Sequence, residues 1–165
     1  QGSKADYAHL PTPIDAVILA LGNSEDKSAI PQLLKLVDML DEDVTLSHHR
    51  SIALALERIS DPASAQSLAK LLQKPGMQGH AMLRFEDALW GLKNDGIKTS
   101  RSTLPLEKRT EALREIVLAR ALYKCGDYEG IGKRILKNYS HDMRGLFARH
   151  AYSVLYEKNN NSKPE

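Results

Sequence analysis

Histidines, one thiol, a glycine cluster and a row of arginines are the residues from which any chemistry in this chain would be built. His48 and His49 are adjacent. Neighbouring helical positions point roughly 100° apart, and no carboxylate or third histidine stands at a ligand spacing, so the pair reads as surface or capping histidines rather than a metal site. His150 falls among Phe147, Ala151 and Val154 and reads as a hydrogen-bonded inner histidine. Cys125 follows an apolar run and precedes Gly126-Asp127. The negative end of a helix opposes a thiolate there, so it reads as a small buried hydrophobe.

Gly126, Gly130 and Gly132 imitate a nucleotide fingerprint, but they join two helical patterns and follow no strand, which fails the structural requirement of that motif. A helix turn explains them. Gly-x-Ser-x-Gly, a phosphate loop and His-Glu-x-x-His are all absent from the sequence, which removes the readily recognised hydrolase and metalloprotease routes. Arg109, Arg114 and Arg120 alternate with Glu107, Glu111 and Glu115. That mixed charge reads as a solvated helix face rather than a phosphate-reading one, and a nucleic-acid enzyme is the least favoured reading.

The most suggestive cluster is polar and glycine-bearing: Ser47, His48 and Arg50 at one end of a repeat, Lys74 and His80 at the other. Antiparallel helices return the second end towards the level of the first, so these five residues are the candidate contact surface. The bland alternative is that Pro75, Gly76 and Gly79 turn the chain and His80 caps the next helix.

Those residues need a scaffold, and the composition favours a helical one. The 165 residues are 42% hydrophobic with only 5% aromatic, and 23 basic residues against 21 acidic ones leave a net charge of +2. So small a charge offers little pull on nucleic acid or anionic lipid, and no apolar run approaches the roughly 20 residues that span a bilayer. Neither nucleic acid nor membrane is an expected partner. One cysteine leaves the compartment open. Gln1-Gly2-Ser3, with no initiating methionine, reads as the cut edge of a larger protein or a cloning remnant.

The segment Ile14 to Leu21, apolar at nearly every position and stopped by Gly22-Asn23, predicts a buried first helix. Ser24 and Asp26 then cap a second, with Pro31 in its first turn and Leu33, Leu34, Val37 and Leu40 at helical spacing. Ser47 is the expected N-cap of a third helix carrying Ile52, Ala55, Leu56 and Ile59, and Asp61-Pro62 opens a fourth, with Leu68, Leu71 and Leu72, to Lys74. An offset of 35 residues superposes Ala20 on Ala55, Leu21 on Leu56, Asp26 on Asp61, Leu33 on Leu68 and Leu36 on Leu71. Such a period in helix pairs predicts a solenoid. Met82, Phe85, Leu89 and Leu92 resume a stripe beside Trp90, 96–104 reads as a loop, and Pro105 opens the longest helix, to about Lys124. An offset of 66 places Ala121, Leu122 and Asp127 over Ala55, Leu56 and Asp61, a weaker third copy whose second helix, with Ile131, Ile135 and Leu136, drifts out of register. A last helix runs from about Met143 to Lys158, and stretches 1–11 and 159–165 read as flexible.

The run from Ala20 to Leu36, with Gly22-Asn23-Ser24-Glu25-Asp26 before Pro31, resembles the bacterial HEAT-like repeat named after phycobilisome lyases. That resemblance implies architecture, not phycobilin chemistry. Ser47-His48-His49-Arg50, Lys74 to Ala81, Leu118 to Tyr123 and Arg144 to Ala151 are together similar to the C-terminal helical region of large bacterial FAD-dependent oxidoreductases. This second resemblance implies a parent whose FAD-binding domain precedes the region, and a catalytic domain of that parent as the protein partner. The expectation for this chain is therefore a single all-α, HEAT-like α-solenoid domain over 1–165, non-catalytic and without a cofactor of its own. A free-standing HEAT-repeat protein-binding module is the alternative.

Overall fold

The computed structural model describes residues 11–86, 89 and 106–156. The loop predicted at 96–104, Trp90, Leu92, Pro105 and the terminal stretches, Pro11 apart, lie outside the described residues.

Among the described residues, seven α-helices are bounded at both ends, in order: α1 (Pro13–Asn23), α2 (Ile30–Asp38), α3 (Leu46–Ile59), α4 (Ala65–Leu72), α5 (Leu106–Lys124), α6 (Ile131–Ser140) and α7 (Gly145–Tyr156). Among the described residues there is no strand. Short 3-10 turns, Lys27–Ala29 and Pro62–Ser64, lead into α2 and α4.

The repeat is written most plainly in its caps. Asp26 accepts the Ser28 N–H at 2.8 Å, and Asp61, 35 residues on, accepts the Ala63 N–H at 2.9 Å. Asp127 continues the series by accepting the Gly132 and Lys133 N–H groups at 2.8 and 3.1 Å, so the third copy keeps its cap although its second helix drifts. Each carboxylate satisfies amides that the start of a helix leaves without partners.

Helices α1, α3 and α5 form one parallel layer. Asp15 meets His48 near the beginnings of α1 and α3, and Gly22 and Asn23 meet Ala55 and Arg58 near their ends. Glu57 pairs with Arg120, and the Ser60 hydroxyl reaches the Lys124 carbonyl, so α5 continues the direction. Helix α2 packs on α4, α4 on α5, α5 on α6, and α6 on α7. A single apolar core runs from Ile18 to Val154, with Leu33, Leu56, Leu68, Leu72, Leu122 and Leu136 fully enclosed. Each such side chain contributes about 1.5–3 kcal/mol by leaving water. The α-solenoid expected from the periodicity is what the chain builds.

Several local expectations are corrected. The first helix is not buried all round: Ile14 is 49% exposed and Val17 59%, because α1 is covered only on its Asp15, Ile18 and Gly22 side. Gly22 does not end α1 in a left-handed conformation; that role falls to Glu25, at φ 53°. A Cβ on Gly22 would stand 2.5 Å from the Ala55 Cα, so glycine is there to let two helix backbones approach. Ser47 is not the N-cap of α3. Thr45 precedes the first helical residue, buried Leu46, and Ser47 sits in the first turn. Helix α4 ends at Leu72, short of Lys74. Met82 is buried but Phe85 is 62% exposed, because residues 80–83 run without helix and break the stripe.

Candidate functional site

A buried arginine of α5 ties the stretch just before α3 to the stretch just after α4. Arg114 donates to the Glu42 carbonyl at 2.6 Å and to the Gly76 carbonyl at 3.0 Å. Lys74 adds a second tie, its ammonium donating to the carbonyls of Asp38 and Leu40 at the end of α2, at 3.0 and 2.5 Å. These are carbonyls that a helix end leaves without partners.

The five candidate residues then divide. Ser47 is buried, with its hydroxyl 3.2 Å from that of Thr45. His48 turns to α1, where Nδ1 lies 2.7 Å from the fully buried Asp15 carboxylate. Burial by itself pushes the Asp15 carboxyl up, but hydrogen bonds from Thr12 and His48 outweigh it and hold the group at about 2. His80 does not cap a helix: its Nε2 lies 2.9 Å from the Gly76 carbonyl and its Nδ1 3.4 Å from the Glu111 carboxylate. Arg50 is exposed and makes no hydrogen bond or ion pair among the described residues. Of the five, Arg50 is the exposed one.

His49, the other half of the histidine pair, points away from His48 and is fully buried. Its Nδ1–H donates to the Thr45 carbonyl at 3.0 Å, and its Nε2 has no partner, as has the Nε of Arg114. Burial lowers its pKa, and the positive charge of Arg114 lowers it further. Among the described residues no three of His, Cys, Asp or Glu gather as metal ligands. His150 is half-buried at the edge of the α7 stripe.

Cys125 is 1% exposed and its thiol donates to the Leu56 carbonyl at 3.4 Å. Burial, with the negative charges of Glu57 and Asp61 nearby, pushes the thiol up to about 12, the reverse of nucleophile activation.

Sequence reasoning missed the groups that hold the segment after Gly79. Glu115, 3% exposed on α5, accepts the Gly79 and His80 N–H groups at 2.8 Å each and the Tyr139 hydroxyl at 2.8 Å. Asp142 accepts the Met82 N–H at 2.8 Å and pairs with Arg144 at 2.7 Å, while Arg144 donates to the His80 carbonyl at 3.0 Å and lies over the Phe147 ring. Arg114 and Glu115 are thus not solvated charges. The available signal was the helix-free run Lys74 to Met82, whose backbone groups had to find partners inside the molecule. Beside that run opens a cavity of about 560 Å³, its polar wall formed by His80, Arg84, Lys108, Glu111 and Arg144. Its charges are mixed, which fits neither a phosphate cradle nor a nucleophile with its base.

Residues 15–38 match the PBS lyase HEAT-like repeat family, a stretch that runs from Asp15 in α1 through the turn with Asp26 to the end of α2. No curated protein and no solved structure matches the chain. No described helix is long and apolar enough to cross a membrane.

Proposed function

We propose that this helical stack is a non-catalytic interaction domain, and that it is the C-terminal part of a larger FAD-dependent oxidoreductase-like protein whose catalytic domain it contacts. One observation carries the reading. The polar groups with reactive potential are engaged in holding backbone or one another, whereas Arg50 of α3 stands exposed without a partner among the described residues. A HEAT-like hairpin supplies such a rigid surface, and flavin chemistry belongs to the parent, not to this chain.

The contact is made by Arg50 and the exposed edge of His48. Lys74, His80 and Ser47 contribute less to it, because their polar atoms are already bound. Arginine at an interface gives charge-assisted, often bidentate bonds. The free-standing binding module remains the second reading, favoured by the exposed apolar side of α1.

Native purification without a tag separates the two. On the first reading the polypeptide purifies with stoichiometric flavin, as a longer chain or in complex, and Arg50→Ala lowers the flavin recovered without moving the melting temperature of the isolated domain. Purification as a flavin-free monomer overturns it, as does stoichiometric flavin retained by this chain alone.

A further inference from the structure

The small net charge of +2 is unevenly spread. Residues 131–156 hold five lysines and arginines against the single Asp142, a surplus of four, so the rest of the chain is net acidic by two. Helices α6 and α7 contain no acidic residue at all. Lys133, Arg134 and Lys137 are exposed on one side of α6, and Arg149 is exposed on α7; none of the four makes an ion pair among the described residues. Asp142, by contrast, is buried and paired with Arg144.

An apolar stripe coincides with that charge. Leu146, Arg149, Tyr152 and Tyr156 follow one another at helical spacing, which places them on one side of α7, opposite the buried Phe147, Ala151 and Val154. Leu146 is 68% exposed, Tyr152 59% and Tyr156 61%. The two tyrosine rings stand 4.4 Å apart, so each holds the other and less side-chain freedom is lost when they are covered. Tyrosines and a leucine left in water around an arginine have the make-up of a protein interface, where tyrosine and arginine carry most of the energy. Helix α6 packs directly on α7. Neighbouring helix axes lie about 8–10 Å apart, within a Debye length at 0.1 M salt, so the α6 cations add to the field over the stripe.

We propose that the outer side of α7, flanked by the α6 cations, docks an acidic amphipathic segment of a partner protein. A carboxylate of that segment pairs with Arg149, its apolar side chains cover Leu146 and the tyrosine pair, and Lys133, Arg134 and Lys137 steer its remaining charge. Other anionic partners fit less well. An anionic bilayer would have to take the Arg149 guanidinium, which stands mid-stripe between Leu146 and Tyr152, into its apolar layer. A nucleic-acid strand reaches past the patch to a remainder of the chain that is net acidic, and the tyrosine rings stack on each other rather than standing open to a base. This surface shares no residue with the Arg50 contact and does not depend on that reading.

The probe is a synthetic peptide of about five helical turns, with leucines along one side and glutamates beside them, titrated against the full chain by fluorescence anisotropy at low salt. A peptide of the same composition in scrambled order is the reference, and it should bind at least about tenfold more weakly than the ordered one. Arg149→Glu and Tyr152→Ala should each weaken the ordered peptide by about tenfold or more, while moving the melting temperature by no more than about 2 °C, since both positions are exposed. Lys137→Glu should weaken it by about threefold, and Lys35→Glu, the same charge change at an exposed position of α2, should leave it within about twofold. No binding of the ordered peptide overturns the docking surface. Equal binding of the two peptides, or a loss with Lys35→Glu as large as with Arg149→Glu, overturns it as well, because net charge alone would then explain the attraction. Tighter binding of a thymidine oligonucleotide or of phosphatidylserine vesicles, lost with Arg149→Glu, overturns the protein assignment in favour of nucleic acid or membrane. None of these measurements involves Arg50 or flavin.

Discussion

Replacing Gly22 by alanine pits two opposed effects of one methyl group against each other. In an open helix the change stabilises by about 0.5–1 kcal/mol, because alanine gives up less backbone freedom on folding. At this position the new carbon would lie 2.5 Å from the Ala55 Cα and 2.8 Å from its Cβ. The nearer atom is backbone, so no side-chain rotation relieves it, and α1 must move away from α3 by roughly 1 Å to regain ordinary packing distance. Overpacking of this kind costs about 1–3 kcal/mol, and the shift also strains the Asp15–His48 pair and the Arg58–Asn23 bond. The net expectation is a loss of about 1–2 kcal/mol, read as a lower urea midpoint with an unchanged slope. Gly145→Ala is the control: it is exposed, nothing lies within 4 Å of the added carbon, and it should range from neutral to about 1 kcal/mol more stable. Ala55→Gly in the Gly22→Ala background should rescue only partly, because the clash with the backbone of residue 55 persists. A Gly22→Ala protein as stable as the original would refute the close approach of α1 and α3.

Glu115→Gln should lower stability by about 1–3 kcal/mol and accelerate amide exchange at Gly79 and His80, since an amide cannot accept from all three donors that the carboxylate serves. The Asp15 carboxyl lies at about 2 in the fold against 3.8 in an ordinary chain. Its contribution, about 2 kcal/mol, is therefore complete above about pH 4 and lost as the pH falls towards 2; Asp15→Asn should remove that part of the acid unfolding curve. His49 acts at milder acidity. Its pKa is lowered in the fold, so the unfolded chain takes the proton first and stability declines as the pH drops below about 6.5, a decline that His49→Gln should flatten. Cys125, raised to about 12 and 1% exposed, should resist alkylation at neutral pH until denaturant is added.

What the sequence determined by itself is what depends on local spacing. Leucines at helical intervals, Pro31 and Pro62 in first turns and aspartates at 26, 61 and 127 specify helix starts and inward faces, because caps and amphipathic stripes act within a few residues. The 35-residue superposition added the stack, since a hairpin with one apolar side must cover it with a neighbour. Thr45 in place of Ser47 shows the limit of such reading: both residues can cap, and only the burial of Leu46 decides where α3 begins.

The tertiary structure decided the fate of every charged and glycine residue whose partner lies far along the chain. Arg114 and Glu115 sit in a run of alternating charges that looks solvated, yet the backbone of residues 42, 76, 79 and 80 draws both inside, because an enclosed amide or carbonyl must be paired. Gly22 has the sequence context of a helix stop and serves instead as a notch for α3. His48 and His49 are adjacent in the chain but belong to different contacts, one holding Asp15 of α1, the other enclosed beside Arg114 of α5. Local order sets the direction in which a side chain leaves its helix; what it meets there depends on which helix the stack brings alongside.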